Sequence, residues 1–451
     1  MLNTVHKLIF LGMSAMPGGL IAQVTGPETL VDEVLTNNPT LLESRLVETD
    51  REIAVLLAEA NRRPTVDLKS DYLVSAGGRG IDFPVGDLFN PAYATLNQLT
   101  AEERFPTNLE NVETRFIPSN FHDTRVEARI AVIAPRISRE TELRRAQSAE
   151  ALAATAVLEN RLRFQVRDLY YAWCQAREGQ RIVDSSRTVL EEVLRVNRVL
   201  VANDKATADV VSRTEAELAA LDGQLANLIQ NQRVAAAALN RLRGREVAAP
   251  LPEPEAEIPR PSPADWSELR TRVRAQRPEL RQLDAGNESL VRLEALQDAG
   301  RLPELGAFVN AGAQGFLNGD FGDHPYATAG VGLSWNLYDG RKRKLQQEQT
   351  QLRRRQLSNR RADALAGFEV ELYQALQRLE SEAAQLTAAT TAARAAADTY
   401  RVVDARYRNQ RALLLELLDA RNALTTARLN ENLAHYRMLR ADAALRAALG
   451  E

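Results

Sequence analysis

The sequence predicts a mainly α-helical chain with a small β portion suited to a membrane, organised as two tandem copies of one unit. Three observations lead there: proline landmarks that recur at a fixed interval, heptad seams that recur at a second interval, and four stretches that alternate apolar with polar residues. Pro39 and Pro278 are 239 residues apart, and so are Pro64 and Pro303. Each pair brackets an amphipathic helix that is entered and left at a proline and followed by a strand-like stretch.

Taken in order, Met1 to Ala22 has a weakly basic start (His6, Lys7), an apolar stretch from Leu8 to Ala15 and a small residue at Ala22. It reads as a secretory signal, residues 1–22, cleaved between Ala22 and Gln23. Residues 23–249 then form the first copy, 250–264 a proline-rich linker, and 265–451 the second copy. Past the first helix, Val66, Leu68, Ser70, Tyr72 and Val74 alternate with Asp67, Lys69, Asp71 and Leu73. Beyond a long loop from Ser75 to Thr124, Val126, Ala128, Ile130, Val132 and Ala134 alternate with Arg125, Glu127, Arg129, Ala131 and Ile133. In the second copy the apolar members are Leu305, Ala307, Val309, Ala311 and Ala313, then Ala329, Val331, Leu333, Trp335 and Leu337.

Each copy ends in helices. Proline is absent between Ile137 and Ala249 and again after Pro325. A helix from about Ser138 to Leu200 would run on the order of 95 Å at ~1.5 Å per residue, so it needs a partner along its length. A coiled-coil seam through Val211, Thr214, Leu218, Leu221, Leu225 and Leu228 recurs 206 residues later from Leu417, and Gly244 maps onto Gly450. The smaller interval gives the first copy about 33 extra residues, expected mainly between Ser75 and Thr124, since the counterpart from Gln314 to Tyr326 is short. Hairpin turns are expected at Asn203 to Ala206 and at Asn409 to Ala412.

Composition excludes several functions. The formal charge of −3 implies no nucleic-acid field. Cys174 is the only cysteine, so an intrachain disulfide and a cysteine-rich metal site are impossible; it reads as a packed thiol in a helix. The four histidines are scattered, and no zincin, P-loop, nucleotide fingerprint or nucleophile elbow is present. No cofactor and no enzymatic activity are expected.

After the signal, no segment approaches the ~20 apolar residues of a membrane-spanning helix. The alternating segments of about nine to eleven residues have the length of tilted membrane strands. A soluble sheet with one wet face alternates in the same way. Small and charged residues on the second face favour a water-filled lumen, and only closed barrels satisfy strand backbones in lipid. Four strands are too few to close a wide pore, so several chains would contribute.

These residues resemble the TolC family of outer-membrane efflux ducts over nearly the whole mature chain. GLSWNLYDGRKR, from Gly332 to Arg343, is similar to the family's strand exit into a long helix. There Trp335 and Tyr338 suit a membrane interface, Asp339 suits a helix cap and Gly340 a sharp turn. NNPTLLESR (Asn37 to Arg45) and QRPELRQL (Gln276 to Leu283) resemble the repeated helix entrance. At the other exit, Pro135-Arg136-Ile137-Ser138-Arg139 departs from the aromatic-Asp-Gly form. The resemblance implies a homotrimer: four strands per chain in one twelve-stranded barrel, and antiparallel coiled-coil helices forming a trimeric α-barrel tunnel through the periplasm. It implies outer-membrane lipid, a periplasmic adaptor protein and an inner-membrane transporter as partners, and no nucleic acid.

At the periplasmic tip, Glu416 and Asp419 lie three apart on one helix face and would stack as acidic rings in a trimer, matching the family's aperture in type and place. Arg411 stands where the family has a charge that helps hold the tip closed, and Asp209 and Arg213 on the first hairpin are candidates for the opposing contacts. The leading reading is an exit duct of a tripartite efflux system. The alternatives are the duct of a type I protein-secretion system and, in another class, a soluble periplasmic coiled-coil scaffold or adaptor without a barrel.

Overall fold

The computed structural model describes residues 26–117, 120–254, 265–316, 324–409 and 411–451. The secretory signal expected at 1–22 and most of the linker expected at 250–264 lie outside the described residues. The first half contains α1 (Pro27–Asn37), α2 (Pro39–Ala60), β1 (Thr65–Val74), β2 (Gly80–Phe83), α3 (Val85–Thr100), β3 (Val112–Arg115), β4 (Asn120–Ile133), α4 (Pro135–Ala202) and α5 (Asp209–Leu242). The second contains α6 (Trp266–Gln276), α7 (Pro278–Ala299), β5 (Glu304–Gly315), β6 (His324–Ser334), α8 (Lys342–Arg408) and α9 (Leu414–Leu449). Helix, helix, strand, strand, long helix, helix thus occurs twice, with β2, α3 and β3 inserted the first time.

The two sequence intervals meet in space. Helices α2 and α7 each have 22 residues and start on Pro39 and Pro278, where a missing N–H costs no intrahelical bond. Helices α5 and α9 end alike, with Gly244 and Gly450 at φ 67° and 88°. The next amides, Arg245 N and Glu451 N, donate back to the Asn240 and Arg446 carbonyls, as in a Schellman cap. Each cap docks on a helix entrance: Asn38 Nδ2 donates to Leu242 O and Arg277 Nη1 to Ala448 O, both at 2.8 Å. Contact is close enough that a Cβ on Gly450 would lie 2.8 Å from Pro278 Cδ.

The chain divides into two compact units, each drawn from both halves. Met1–Asp50, Gln147–Asn287 and Arg354–Glu451 form one, and Arg51–Ala146 with Glu288–Arg353 the other. The first unit is helical, with a core that includes Leu30, Val34, Val166, Tyr170, Trp173, Leu239, Val273, Leu372 and Met438. Cys174 is packed there, and burial pushes its thiol up to about 12, so it stays protonated and inert. Three buried arginines in this unit, Arg167, Arg243 and Arg277, end on carboxylates. Arg167 meets Glu28 through two bonds of 2.9 and 3.0 Å. Burial works against the Glu28 charge, yet the Arg167 contact prevails and holds its pKa below the ordinary value.

The second unit carries a sheet in the order β1-β4-β5-β6, with every neighbouring pair antiparallel. Between β1 and β4 the sequence suggested a plain loop; the structure corrects this. Strand β2 pairs with β3, and α3 grips the segment that follows it. Asn90 and Asn97 each donate to and accept from one backbone position, Leu109 and Phe105 respectively, at 2.8 to 3.0 Å. A primary amide presents a donor and an acceptor side by side, as a strand neighbour does. Pro91 inside α3 and the surrounding loop-forming residues concealed this helix, because an interior proline ordinarily breaks one.

Candidate functional site: sheet faces, strand exit and hairpin turns

Register decides what each face of the sheet presents. Val66 lies opposite Ala128, which lies opposite Val309, which lies opposite Ala329; Leu68, Val126, Ala311 and Ala327 form the next row. The four apolar sets read from the sequence therefore share one face. That face is bare: Leu68 and Val331 are 75% and 72% exposed. A contiguous apolar face of this kind marks an interaction with lipid or protein. Alternation was expected to continue through Val132 and Ala134, but a bulge between Ala131 and Ile133 places Ile133 opposite Leu305 and β4 stops there. Bulges at a sheet rim end pairing and re-aim side chains, and period-two counting does not register them.

The opposite face is charged and cross-linked. Glu127 accepts from Lys69 Nζ at 2.8 Å and also pairs with Arg129. Arg125 bridges Asp71 at 3.0 Å and Asp123 at 2.5 Å, and Tyr326 donates to Asp123 at 2.6 Å. Beside these pairs lies a cavity of about 580 Å³ lined by Arg63, Arg129, Phe308, Asn310 and Gly332, among others. Strands β1 and β6 are the edges of the sheet. No helix among the described residues is long and apolar enough to cross a membrane.

At the strand exit, β6 ends at Ser334, so Trp335 and Leu337 lie past the strand rather than in it. The Trp335 ring is exposed, and its Nε1 donates to Arg301 O at 3.0 Å. Tyr338 is exposed as well. Asp339 accepts from the Arg343 amide at 3.0 Å and from Arg343 Nε at 2.7 Å. Desolvation opposes ionisation of Asp339, but the Arg343 amide and guanidinium outweigh it and hold the carboxyl below its ordinary pKa. Gly340 has φ 66° and Arg341 φ 71°, so the chain reverses through two left-handed residues before α8. At the other exit α4 begins directly on Pro135.

The hairpin turns hold the remaining expected residues. After α4, Asp204 adopts φ 55°, and Asp204 N and Lys205 N donate to Val201 O and Leu200 O. Asp209 opens α5 with its carboxylate on the Thr207 hydroxyl, and Arg213 is exposed one turn later. At the second turn Glu416 reaches back to the Leu413 amide at 3.2 Å and lies 3.6 Å from Arg406 Nη1. Arg406 Nη2 also donates to the Arg411 carbonyl at 3.2 Å. Asp419 and the Arg411 side chain are exposed, and neither forms an ion pair among the described residues. Sequence reasoning missed Arg406, the cation that meets Glu416. Its signal was weak, a basic residue in the last turn of one helix facing an acidic residue in the first turn of the next. Across the two hairpins, Tyr407 donates to Asn197 at 3.2 Å and Asn422 to Glu217 at 2.9 Å.

Residues 269–451 match the family model for outer membrane efflux proteins. Comparison with curated protein sequences gives no match. Among solved structures, the chain is similar to the outer membrane protein VceC from Vibrio cholerae, with 16% identity, TM-score 0.70, and 94% of this chain and 96% of that one covered. It is also similar to the Neisseria gonorrhoeae MtrE outer membrane channel in its open state, with 16% identity, TM-score 0.72, and 94% and 88% covered. For the Campylobacter jejuni CmeC outer membrane channel the values are 13%, 0.71, 94% and 85%. At such identities the likeness is one of fold, and it extends over the half of the chain that the family model leaves unmatched. Residues 269–451 thus resemble the outer membrane efflux protein family in sequence, and the chain is similar in fold to outer membrane channels over 94% of its length.

Proposed function

We propose that the protein is one subunit of a trimeric outer-membrane exit duct, built from two repeats at residues 23–249 and 265–451. It conducts solutes passively from a periplasmic adaptor and inner-membrane pump to the exterior. The observation that carries this reading is the sheet: four antiparallel strands, open at β1 and β6, with one face apolar and bare and the other charged. An open sheet leaves its edge amides and carbonyls unpaired, which lipid does not tolerate. Three copies joined β6 to β1 remove every edge, give twelve strands, and turn the charged faces onto a wet lumen.

The α4–α5 and α8–α9 turns form the periplasmic end in this reading. Glu416 and Asp419 line an acidic aperture there, with Arg411, Asp209 and Arg213 nearby, and opening moves the hairpins apart. Single-channel conductance of the purified protein in a planar lipid bilayer tests this, with Glu416 and Asp419 changed to Ala in parallel. Small cation-selective currents that grow or lose selectivity in the double variant are expected. A protein that stays soluble without detergent and never conducts sinks the reading and favours the periplasmic scaffold.

A further inference from the structure

Near the hairpin turns a small apolar cluster of Val183, Leu190, Leu221 and Leu418 joins α4, α5 and α9. Arg421, one turn along α9 from Leu418, is only 3% exposed. Other buried arginines of the same unit end on carboxylates: Arg167 on Glu28, Arg243 on Glu33, and Arg277 on Glu279 and Glu371. Arg421 differs from all of them. Its Nη2 donates to the Ser186 carbonyl of α4, while its buried Nη1 has no hydrogen-bond partner among the described residues. One turn on, the Thr425 hydroxyl bonds Ser186 Oγ at 2.6 Å.

A carboxylate is close but engaged elsewhere. Glu217 of α5 acts electrostatically on Arg421, as does Tyr400 of α8, yet Glu217 Oε2 accepts from Asn422 at 2.9 Å. Burial lowers the Arg421 pKa, with Tyr400 and Glu217 opposing. A guanidinium cannot shed its proton to escape burial, and a buried charge is tolerated only when well paired. One carbonyl dipole satisfies part of it. The arrangement is therefore held at a cost that contact with Glu217 would reduce.

We propose that Arg421 is a positioning residue for opening, whose guanidinium exchanges the Ser186 carbonyl for the Glu217 carboxylate when the α4–α5 and α8–α9 hairpins shift past one another. Asn422 releases Glu217 in the same movement. Two alternative pairings of one buried cation give two discrete states, which a switching element requires. This rests on the exit-duct reading, in which the hairpin ends open.

The test uses the full-length protein in planar bilayers, alone and with Arg421→Met, Glu217→Gln and the double change. Methionine fills similar space without charge; glutamine still accepts from Asn422 but offers no carboxylate. Each single change is expected to lower open probability about tenfold, within the usual range for coupled sites, and the double change no further. Arg421→Met should also raise the thermal unfolding midpoint, and Glu217→Gln should leave it nearly unchanged. Open probabilities that match the unaltered protein, or that multiply in the double variant, overturn the exchange and leave Arg421 a packing residue. If the unaltered protein does not conduct, the duct reading itself fails and this inference goes with it.

Discussion

The two hairpin turns do the same geometric job with different chemistry. Within its turn residues the first is closed by backbone, through Asp204 in the left-handed region and amide bonds back to Leu200 and Val201. Its ion pair, Arg198 to Glu215 at 2.8 Å, lies further along the two helices. The second adds charge to its backbone bonds, with Glu416 on the Leu413 amide and beside Arg406, and Arg406 on the Arg411 carbonyl. A turn held by backbone answers to conformational strain, whereas one held by charge also answers to salt and to an approaching charged surface. In the proposed duct, the second is thus the better place to control opening.

The largest test of this contrast removes what the hairpins share. Leu221 and Leu418 belong to one apolar cluster, and either Leu→Ala change should cost about 2–5 kcal/mol in denaturant unfolding. Equal costs mean one common core behind two turns; a cost confined to one hairpin means the turns are independent. Next, Asp204→Gly relieves the left-handed strain, expected to be worth up to about 1 kcal/mol. The gain in unfolding midpoint should be the same at low and high salt.

Glu416→Gln keeps an acceptor for the Leu413 amide and removes the charge opposite Arg406. The pair is 42–52% exposed, so the loss should stay below about 1 kcal/mol and vanish at high salt. If it persists in high salt, the second turn is no more electrostatic than the first. The smallest effect concerns the strand exit. Because the folded Asp339 pKa lies below its ordinary value, its contribution is complete above the ordinary carboxylate range and is lost as pH falls through the lowered folded value. Exchange protection of the Arg343 amide should be pH-independent around neutrality and weaken well below about pH 4, and Asp339→Asn should abolish that dependence.

Much of the architecture was legible because it repeats. The interval from Pro39 to Pro278 and the one from Gly244 to Gly450 mark helix starts and stops, and such signals are local: a proline lacks an amide and a glycine accepts positive φ. Period-two alternation found β1, β4, β5 and β6. It failed at their ends, where the bulge before Ile133 and the stop at Ser334 depend on the neighbouring strand. The insertion was read as a loop because Asn90 and Asn97 act through partners 19 and 8 residues away. Of the turn residues, Glu416 was found and Arg406 was not, since their pairing depends on how the intervening turn closes.

By itself the sequence determined the proline-bounded helices and the long helical hairpins, the apolar sets of the strands, the single cysteine, and a family resemblance carried by local motifs. These are properties of periodicity and of single residues, which short-range sterics and solvation decide. Tertiary structure alone decided that Arg421 is buried against Ser186, that Glu217 is held by Asn422, and that Glu127 is shared between Lys69 and Arg129. A charged side chain looks the same in sequence whether water or a carboxylate surrounds it, and only packing determines which does.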